Sequence, residues 1–472
     1  MESTFSRHET IVAPMTPMGV SAVAALRVSG SRVREVVSAL FGAKSAAGLE
    51  PRKACLGTAR DPRTGKVIDS LLYLYFEAPN SYTGEDVLEL YPHGNPLIVR
   101  DLLQAIRDIE GVRLAEPGEY TRRAFLNGKM DLTQAESVAD VIHSANRAEL
   151  ENAHRLLSGA LSKKIATLSA QVKDISARLE LDVDFAEEEA DPDYSGWQER
   201  FENIRVSIKG ILDSFRGKAN LSRLPLAVLY GAPNAGKSSL VNALLGEDRV
   251  LVSNVPGTTR DFVEVRLFLD GGEIRLVDTA GIADKATDEL DALSMKKSRE
   301  ILEEADLKIL VVDGSDERTG GALQTRDETV HPDFTVYSKC DLAVVRQKVT
   351  ELVEVHQPDQ GPRACRGAEG SLRISSKTGE GLSELKRTMN AALFKKNENS
   401  EDLWITSERE KACLEEALAG VDRVLAQLRE NPAVELLAFE MQLVRRALQS
   451  ITGEISSEDV LQSIFAGFCI GK

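Results

Sequence analysis

Leu226-Ala-Val-Leu-Tyr-Gly231-Ala-Pro-Asn234-Ala235-Gly236-Lys237-Ser238 decides the fold. An apolar run of strand length enters a glycine-bounded loop, and Ser239-Leu-Val-Asn-Ala-Leu-Leu continues as the start of a helix. This is the pattern G-x-x-x-x-G-K-[ST] in its strand–loop–helix setting, which reads as a phosphate loop. Gly231 and Gly236 let the backbone curl so that its N–H groups surround phosphates, Lys237 puts a fixed charge on the β/γ-phosphates, and Ser238 offers a hydroxyl to Mg²⁺. Asn234 to Ser239 (Asn234, Ala235, Gly236, Lys237, Ser238, Ser239) therefore stand as nucleotide-binding candidates. The bland alternative, a chance glycine loop, has the strand and helix on either side against it.

Downstream signals narrow the nucleotide. Pro256-Gly-Thr258-Thr259-Arg-Asp has the form of a switch loop whose threonine meets Mg²⁺ when a γ-phosphate orders it. Glu273-Ile-Arg-Leu-Val-Asp278-Thr279-Ala280-Gly281 is a strand ending in D-x-x-G, with Asp278 on the metal through water and the Gly281 N–H on the γ-phosphate. Leu307-Lys-Ile-Leu-Val-Val-Asp313 is a further buried strand, and Phe334-Thr-Val-Tyr-Ser338-Lys339-Cys340-Asp341 ends another. The Asp341 carboxylate can accept both guanine N1–H and N2–H, which adenine lacks, and Ser375-Ser376-Lys377 would cover the base edge. Four elements in this order at strand ends point to GTP hydrolysis. GTPases usually carry Asn-Lys-x-Asp, and Ser338 stands here in place of the asparagine. Ras-like enzymes place a water-orienting glutamine after D-x-x-G, and here Ile282 follows Gly281. An apolar side chain cannot polarise water. Asn234 beside the β/γ-phosphates gains a candidate role as ligand of a monovalent cation.

The remaining chain organises around that unit. With 472 residues, roughly two to four domains are expected. The formal charge of −16 argues against a broad nucleic-acid-binding surface but not against a local basic groove. Five scattered cysteines without a C-x-x-C, and an N-terminus without an apolar signal core, lead to the expectation of reduced thiols in a cytoplasmic protein. No stretch approaches the about 18 apolar residues of a membrane span. In residues 1–128, Ser21–Val28 and Ser70–Phe76 are strand-like, and Pro96–Ile109 is an amphipathic helix with proline in its first turn. The stretches 78–90 and 116–132 read as loops and helix caps, with binding as the less common alternative.

Leu161, Ile165, Leu168, Val172, Ile175 and Leu179 form a helical seam. Leu414, Leu418, Val421, Leu425 and Leu428 form a second, and Val434, Leu437, Met441, Val444, Leu448 and Ile451 a third. Such helices cannot bury their faces alone, so one helical domain built from two chain segments, with the nucleotide domain inserted between them, is expected. The acidic run Asp182 to Asp193 reads as a solvated helix end sooner than as a metal site. The apolar end, Ile464-Phe-Ala-Gly-Phe-Cys469-Ile-Gly-Lys472, is expected to be docked.

Together Asn80–Asp86, Pro117–Lys129, Gly231–Ser238, Gly257–Asp261, Asp278–Gly281 and Phe468–Lys472 resemble the tRNA-modifying GTPase family MnmE (TrmE), and the match runs over essentially the whole chain. The resemblance implies a multidomain fold. An α+β tetrahydrofolate-binding-like dimerisation domain spans 1–128, a discontinuous α-helical domain spans 129–222 and 395–472, and an inserted α/β P-loop (Ras-like) GTPase domain spans 223–394. It implies a homodimer binding a 5-formyl- or methylene-tetrahydrofolate through Arg27, Glu89, Lys129 and Lys472. It implies K⁺ held by Asn234, Ser253, Val255 and Thr258, with Mg²⁺ on Ser238 and Thr259. It also implies GTP turnover coupled to an FAD-dependent, MnmG-type partner, adding a carboxymethylaminomethyl or aminomethyl group at C5 of the wobble uridine of certain tRNAs. Asp291, with Glu289 as alternative, aligns with the family's catalytic glutamate across a one-residue insertion, and Lys237 assists. Cys469 matches the family's terminal cysteine, although a thiol in an apolar tail is more simply read as packed. Two rival readings are a ribosome-assembly GTPase of the Era or Der type and a GTP-gated scaffold.

Overall fold

The computed structural model describes residues 9–184, 196–217, 224–247, 263–279, 300–315, 331–342, 371–394, 403–430 and 434–472. These fall into two compact units, one of residues 1–142, 152–217 and 403–472, the other of 143–151 and 218–402. Among the described residues no helix is long and apolar enough to cross a membrane.

The first unit opens with eight strands: β1 (Thr10–Pro14), β2 (Ser21–Val23), β3 (Leu26–Ser29), β4 (Cys55–Arg60), β5 (Val67–Phe76), β6 (Val87–Tyr91), β7 (His93–Gly94) and β8 (Val112–Leu114). Six of them make one sheet in the order β4-β5-β6-β3-β1-β8. Ser70–Phe76 forms within β5 and the helix Pro96–Arg107 forms as its pattern requires, whereas Ser21–Val28 divides at Ala24–Ala25 into β2, paired with β7, and β3, inside the six-stranded sheet. Asn95 caps that helix by accepting from the Leu97 N–H at 2.9 Å, with Pro96 behind it in the first turn. This helix and Val33–Phe41 bury Val99, Leu102, Ile106, Val33, Val36 and Leu40 with Val28, Leu88 and Leu90 of the sheet. Residues 116–132 depart from the loop reading, since Glu119–Leu126 is a helix with Glu119, Tyr120, Arg122 and Arg123 all buried. Its charges hid the helix, because they face each other instead of water.

The helical seams do what their spacing demands. Helices Ala160–Asp184, Trp197–Leu212, Glu408–Gln427 and Val434–Thr452 share one apolar core, drawn from both sides of residues 218–402. The first and third seams are buried at every position. In the second, Leu414, Val421 and Leu425 are buried, joined by Ala417 and Val424, while Leu418 and Leu428 are only partly covered. The side chains of residues 180–195, including the acidic run, lie outside the described residues.

The second unit is a sheet of β9 (Leu226–Tyr230), β10 (Val263–Leu269), β11 (Gly272–Asp278), β12 (Leu307–Asp313), β13 (Phe334–Ser338) and β14 (Leu372–Arg373). Its order is β10-β11-β9-β12-β13-β14, parallel except for the β10–β11 pair. Continuous burial of β9 fits a central strand covered on both faces. Helices Lys237–Glu247 and Leu382–Leu393 pack on one face. Residues 143–151 join this unit. Their backbone pairs with the β10–β11 turn, where the Arg147 N–H donates to Gly271 O and the Glu273 N–H to Ala145 O.

Candidate functional site

Parallel strands deliver their carboxyl ends to one edge of the sheet, where ligands of open α/β folds bind. β9 ends in the Gly231–Ser238 loop, β11 in Asp278, β12 in Asp313 and β13 in Ser338. Gly231 has φ +146°, and a Cβ there would stand 2.2 Å from the Val311 carbonyl oxygen, so only glycine lets the loop leave β9 this close to β12. Lys237 is buried, and its Nζ donates to the carbonyls of Gly231 and Ala232, each at 2.8 Å, holding a cation inside the loop. Ser238 Oγ donates to Asp278 Oδ2 at 2.6 Å. A hydroxyl and a carboxylate side by side at a helix N-terminus are the donor set a phosphate-bound Mg²⁺ takes. Thr279 is tied back to β9, its N–H and its Oγ1 both donating to Leu229 O. Asn234 is exposed at φ +62°.

The base side is equally specific. Ser375 Oγ donates to Asp341 Oδ1 at 2.9 Å, the Cys340 N–H donates to Ile374 O, and Ser376 and Lys377 follow toward the surface. Lys339 sits at φ +59° with Nζ 2.5 Å from Asp313 Oδ2. Burial raises the Asp313 carboxyl, but Lys339 and the Ser315 donors outweigh it and hold it below the ordinary range. Ser338 Oγ reaches the Ala235 carbonyl at 2.5 Å and that of Val312 at 3.2 Å. The pairing of Asp313 with Lys339 and the reach of Ser338 carried no sequence signal, since both depend on which strands are neighbours. Ser253, Val255, Thr258, Thr259, Ala280, Gly281, Ile282, Glu289 and Asp291 lie outside the described residues.

A second constellation lies in the first unit. Arg27 and Glu89 face each other across the β3–β6 pair, and Arg27 Nε and Nη2 donate to Glu89 Oε1 at 3.1 and 2.8 Å. Tyr91 donates to Glu89 Oε2 at 2.5 Å, and burial, then Glu89, push its hydroxyl up to about 12. The Arg27 guanidinium lies over the rings of Tyr82 and Tyr120, and Tyr120 donates to the Arg27 carbonyl at 2.6 Å. Tyr82, Tyr120 and Tyr91 escaped the sequence reading, because aromatic residues in a turn, a helix and a strand end share no periodicity that aims them at one ion pair.

The chain end closes on the same place. Phe465 and Phe468 are buried with Leu132, Ala135, Val138 and Leu461, so the expected docking of the apolar tail holds. Gly471, at φ +98°, packs so closely on Pro14 that a Cβ would stand 2.2 Å from its carbonyl oxygen. Pro14 is paired with Leu26, next to Arg27. Lys472 thereby feels both Arg27 and Glu89. Burial, reinforced by Arg27 and opposed by Glu89, holds its amine below the ordinary value. Lys129 Nζ instead donates to Pro79 O at 2.9 Å. The packed-thiol reading of Cys469 fails: it is exposed, because the tail turns Phe468 and Gly471 inward and leaves Cys469 and Ile470 outward. Arg27 Nη1 is buried with no hydrogen-bond partner among the described residues. A buried guanidinium donor beside an amine suits a ligand that brings acceptor atoms, as a reduced folate's pterin carbonyl and carboxylates do.

A family model described as the GTP-binding protein TrmE N-terminus matches residues 10–129, and one described as the MnmE helical domain matches residues 132–469. The tRNA modification GTPase MnmE of Syntrophus aciditrophicus (strain SB) is 37% identical over 467 residues, covering 98% of this chain and 99% of that protein. That of Dichelobacter nodosus (strain VCS1703A) gives the same figures. The MnmE of Haemophilus influenzae (strain PittEE) is 36% identical over 474 residues, covering 98% of this chain and all of that one.

Proposed function

This chain belongs to the MnmE family of GTPases, and from that premise we propose that it uses potassium-dependent GTP hydrolysis, with an FAD-dependent MnmG-type partner, to add an aminomethyl-type group at C5 of the wobble uridine of certain tRNAs. The observation that carries the reading is the meeting of Arg27, Glu89 and Lys472 around an unpartnered buried donor, in a chain whose phosphate loop keeps Lys237, Ser238 and Asp278 together. In this reading Ser238 and Thr259 hold Mg²⁺, with Asp278 acting through water. Asn234, Ser253, Val255 and Thr258 hold K⁺. Asp291 or Glu289 orients the attacking water that Ile282 cannot. The loop N–H groups and Lys237 stabilise charge developing on the β/γ-phosphates. Arg27, Glu89, Lys129 and Lys472 hold a tetrahydrofolate, which supplies a one-carbon unit when bound. Domains at 1–128, 129–222 with 395–472, and 223–394, and a homodimer, complete the proposal.

Nucleoside analysis of tRNA from cells with and without the protein tests the function. Loss of the modified wobble uridine on deletion is expected, and an unchanged nucleoside profile would overturn it. Hydrolysis in K⁺ and in Na⁺ at matched ionic strength tests the cation, and equal rates would remove it. A variant that binds GTP without hydrolysing it, yet still supports modification, would favour the scaffold reading.

A further inference from the structure

We propose that the guanine site of this GTPase reads the Watson–Crick edge of the base and leaves N7 without a side-chain partner among the described residues, because position 338 commits its single donor to the phosphate loop. Guanine N7 is an acceptor and needs a donor. A serine hydroxyl carries one hydrogen. At Ser338 that hydrogen faces two carbonyl oxygens, Ala235 O at 2.5 Å and Val312 O at 3.2 Å, and whichever it serves, none is left for a base. The side chain is 2% exposed, so it does not swing out to reach one. The two donors that follow it in the chain are engaged as well, with the Lys339 ammonium held at Asp313 Oδ2 and Cys340 Sγ directed at Tyr337 O. By contrast the Asp341 carboxylate, steadied by Ser375, is exposed and is an acceptor only, which fits N1–H and N2–H and nothing on the N7 side.

The same contact makes Ser338 a positioning residue. In a planar trans peptide the N–H points opposite to the C=O. Holding the Ala235 carbonyl toward Ser338 therefore turns the Gly236 N–H away from it, and Gly236 N–H is one of the donors a phosphate loop needs. Ser338 thus acts on phosphate affinity, not on base choice.

This rests on the guanine reading of Asp341, so the experiment separates the two. Equilibrium dissociation constants are measured for GDP, 7-deaza-GDP and inosine diphosphate with the full chain. The unaltered protein is expected to bind 7-deaza-GDP within twofold of GDP, and inosine diphosphate at least tenfold more weakly. Ser338→Ala is expected to weaken all three by a common factor on the order of tenfold, from the unsatisfied Ala235 carbonyl. Ser338→Asn adds amide donors and is expected to bring at least fivefold discrimination against 7-deaza-GDP. If the unaltered protein disfavours 7-deaza-GDP fivefold or more, or if Ser338→Ala changes the ratios between analogues, the proposal falls. Equal binding of GDP and inosine diphosphate would overturn the Asp341 reading instead. The comparison on the unaltered protein stands even if a variant does not fold.

Discussion

Phe465→Ala removes a buried ring from the place where the chain end meets the first unit. Phe465 packs with Leu132, Ala135, Val138 and Leu461, and its ring lies 5.5 Å from that of Phe468. Burying a ring and then deleting it costs about 3–5 kcal/mol, more where the surroundings cannot close in. Here they cannot, because a Cβ on Gly118 would come within 2.6 Å of the Phe465 carbonyl oxygen. Two backbones are already in contact, and neither has room to collapse into the void. The upper part of that range is therefore expected, which for a unit of this size lowers its melting temperature by about 7–9 °C. Calorimetry with and without GDP supplies the assay. GDP at 100 times its Kd adds about 2.7 kcal/mol to the unit that binds it and so labels that transition. The unlabelled transition should fall while the GDP-shifted one and the GDP affinity stay put. Phe465→Leu, which keeps most of the apolar volume, should cost less than about 1.5 kcal/mol. A loss below about 1 kcal/mol in Phe465→Ala, or a loss confined to the GDP-shifted transition, would refute the docking of the tail as described.

Three other outcomes follow from the same geometry. Gly231→Ala places a methyl 2.2 Å from the Val311 carbonyl oxygen, at a φ side chains avoid, and should weaken GDP binding more than about 100-fold by titration calorimetry while unit one melts unchanged. Asp341→Asn exchanges an acceptor oxygen for a donor, so guanine affinity should fall and xanthine nucleotide affinity rise in competition binding. Glu119 is 3% exposed, and although burial raises its carboxyl, Arg113, the Glu116 amide and Arg123 outweigh burial and hold it below the ordinary range. Its contribution is then present above the ordinary carboxylate value and is lost as pH falls through the lower folded value. Glu119→Gln leaves Arg113 with Glu9 and Arg123 with Glu85, so it should cost about 2–3 kcal/mol at neutral pH, from the charge-assisted hydrogen bonds lost, and flatten the acid limb of the stability profile below about pH 4 in urea titrations.

The nucleotide unit was legible in the chain because its chemistry is local. A phosphate loop is one turn with its own glycines, and Gly231, Lys237 and Ser238 stand where that turn must place them. The helical seams were legible for a related reason, since a stripe at helical spacing has to be buried somewhere. Where it is buried, and against which partner, is non-local, which is why Ala417 and Val424 displaced Leu418 and Leu428 at the centre of the second seam. The charged helix Glu119–Leu126 shows the limit most clearly. Its Glu119, Arg122 and Arg123 look solvated in sequence, yet Arg113, Glu85 and, through Arg122, Glu458 of the far chain end supply their partners. Only the tertiary structure could bring Lys472 beside Arg27 and Glu89, or aim the Ser338 hydroxyl at Ala235. Such contacts are fixed by strand order and close backbone approach, and neither is written in the spacing of the residues that make them.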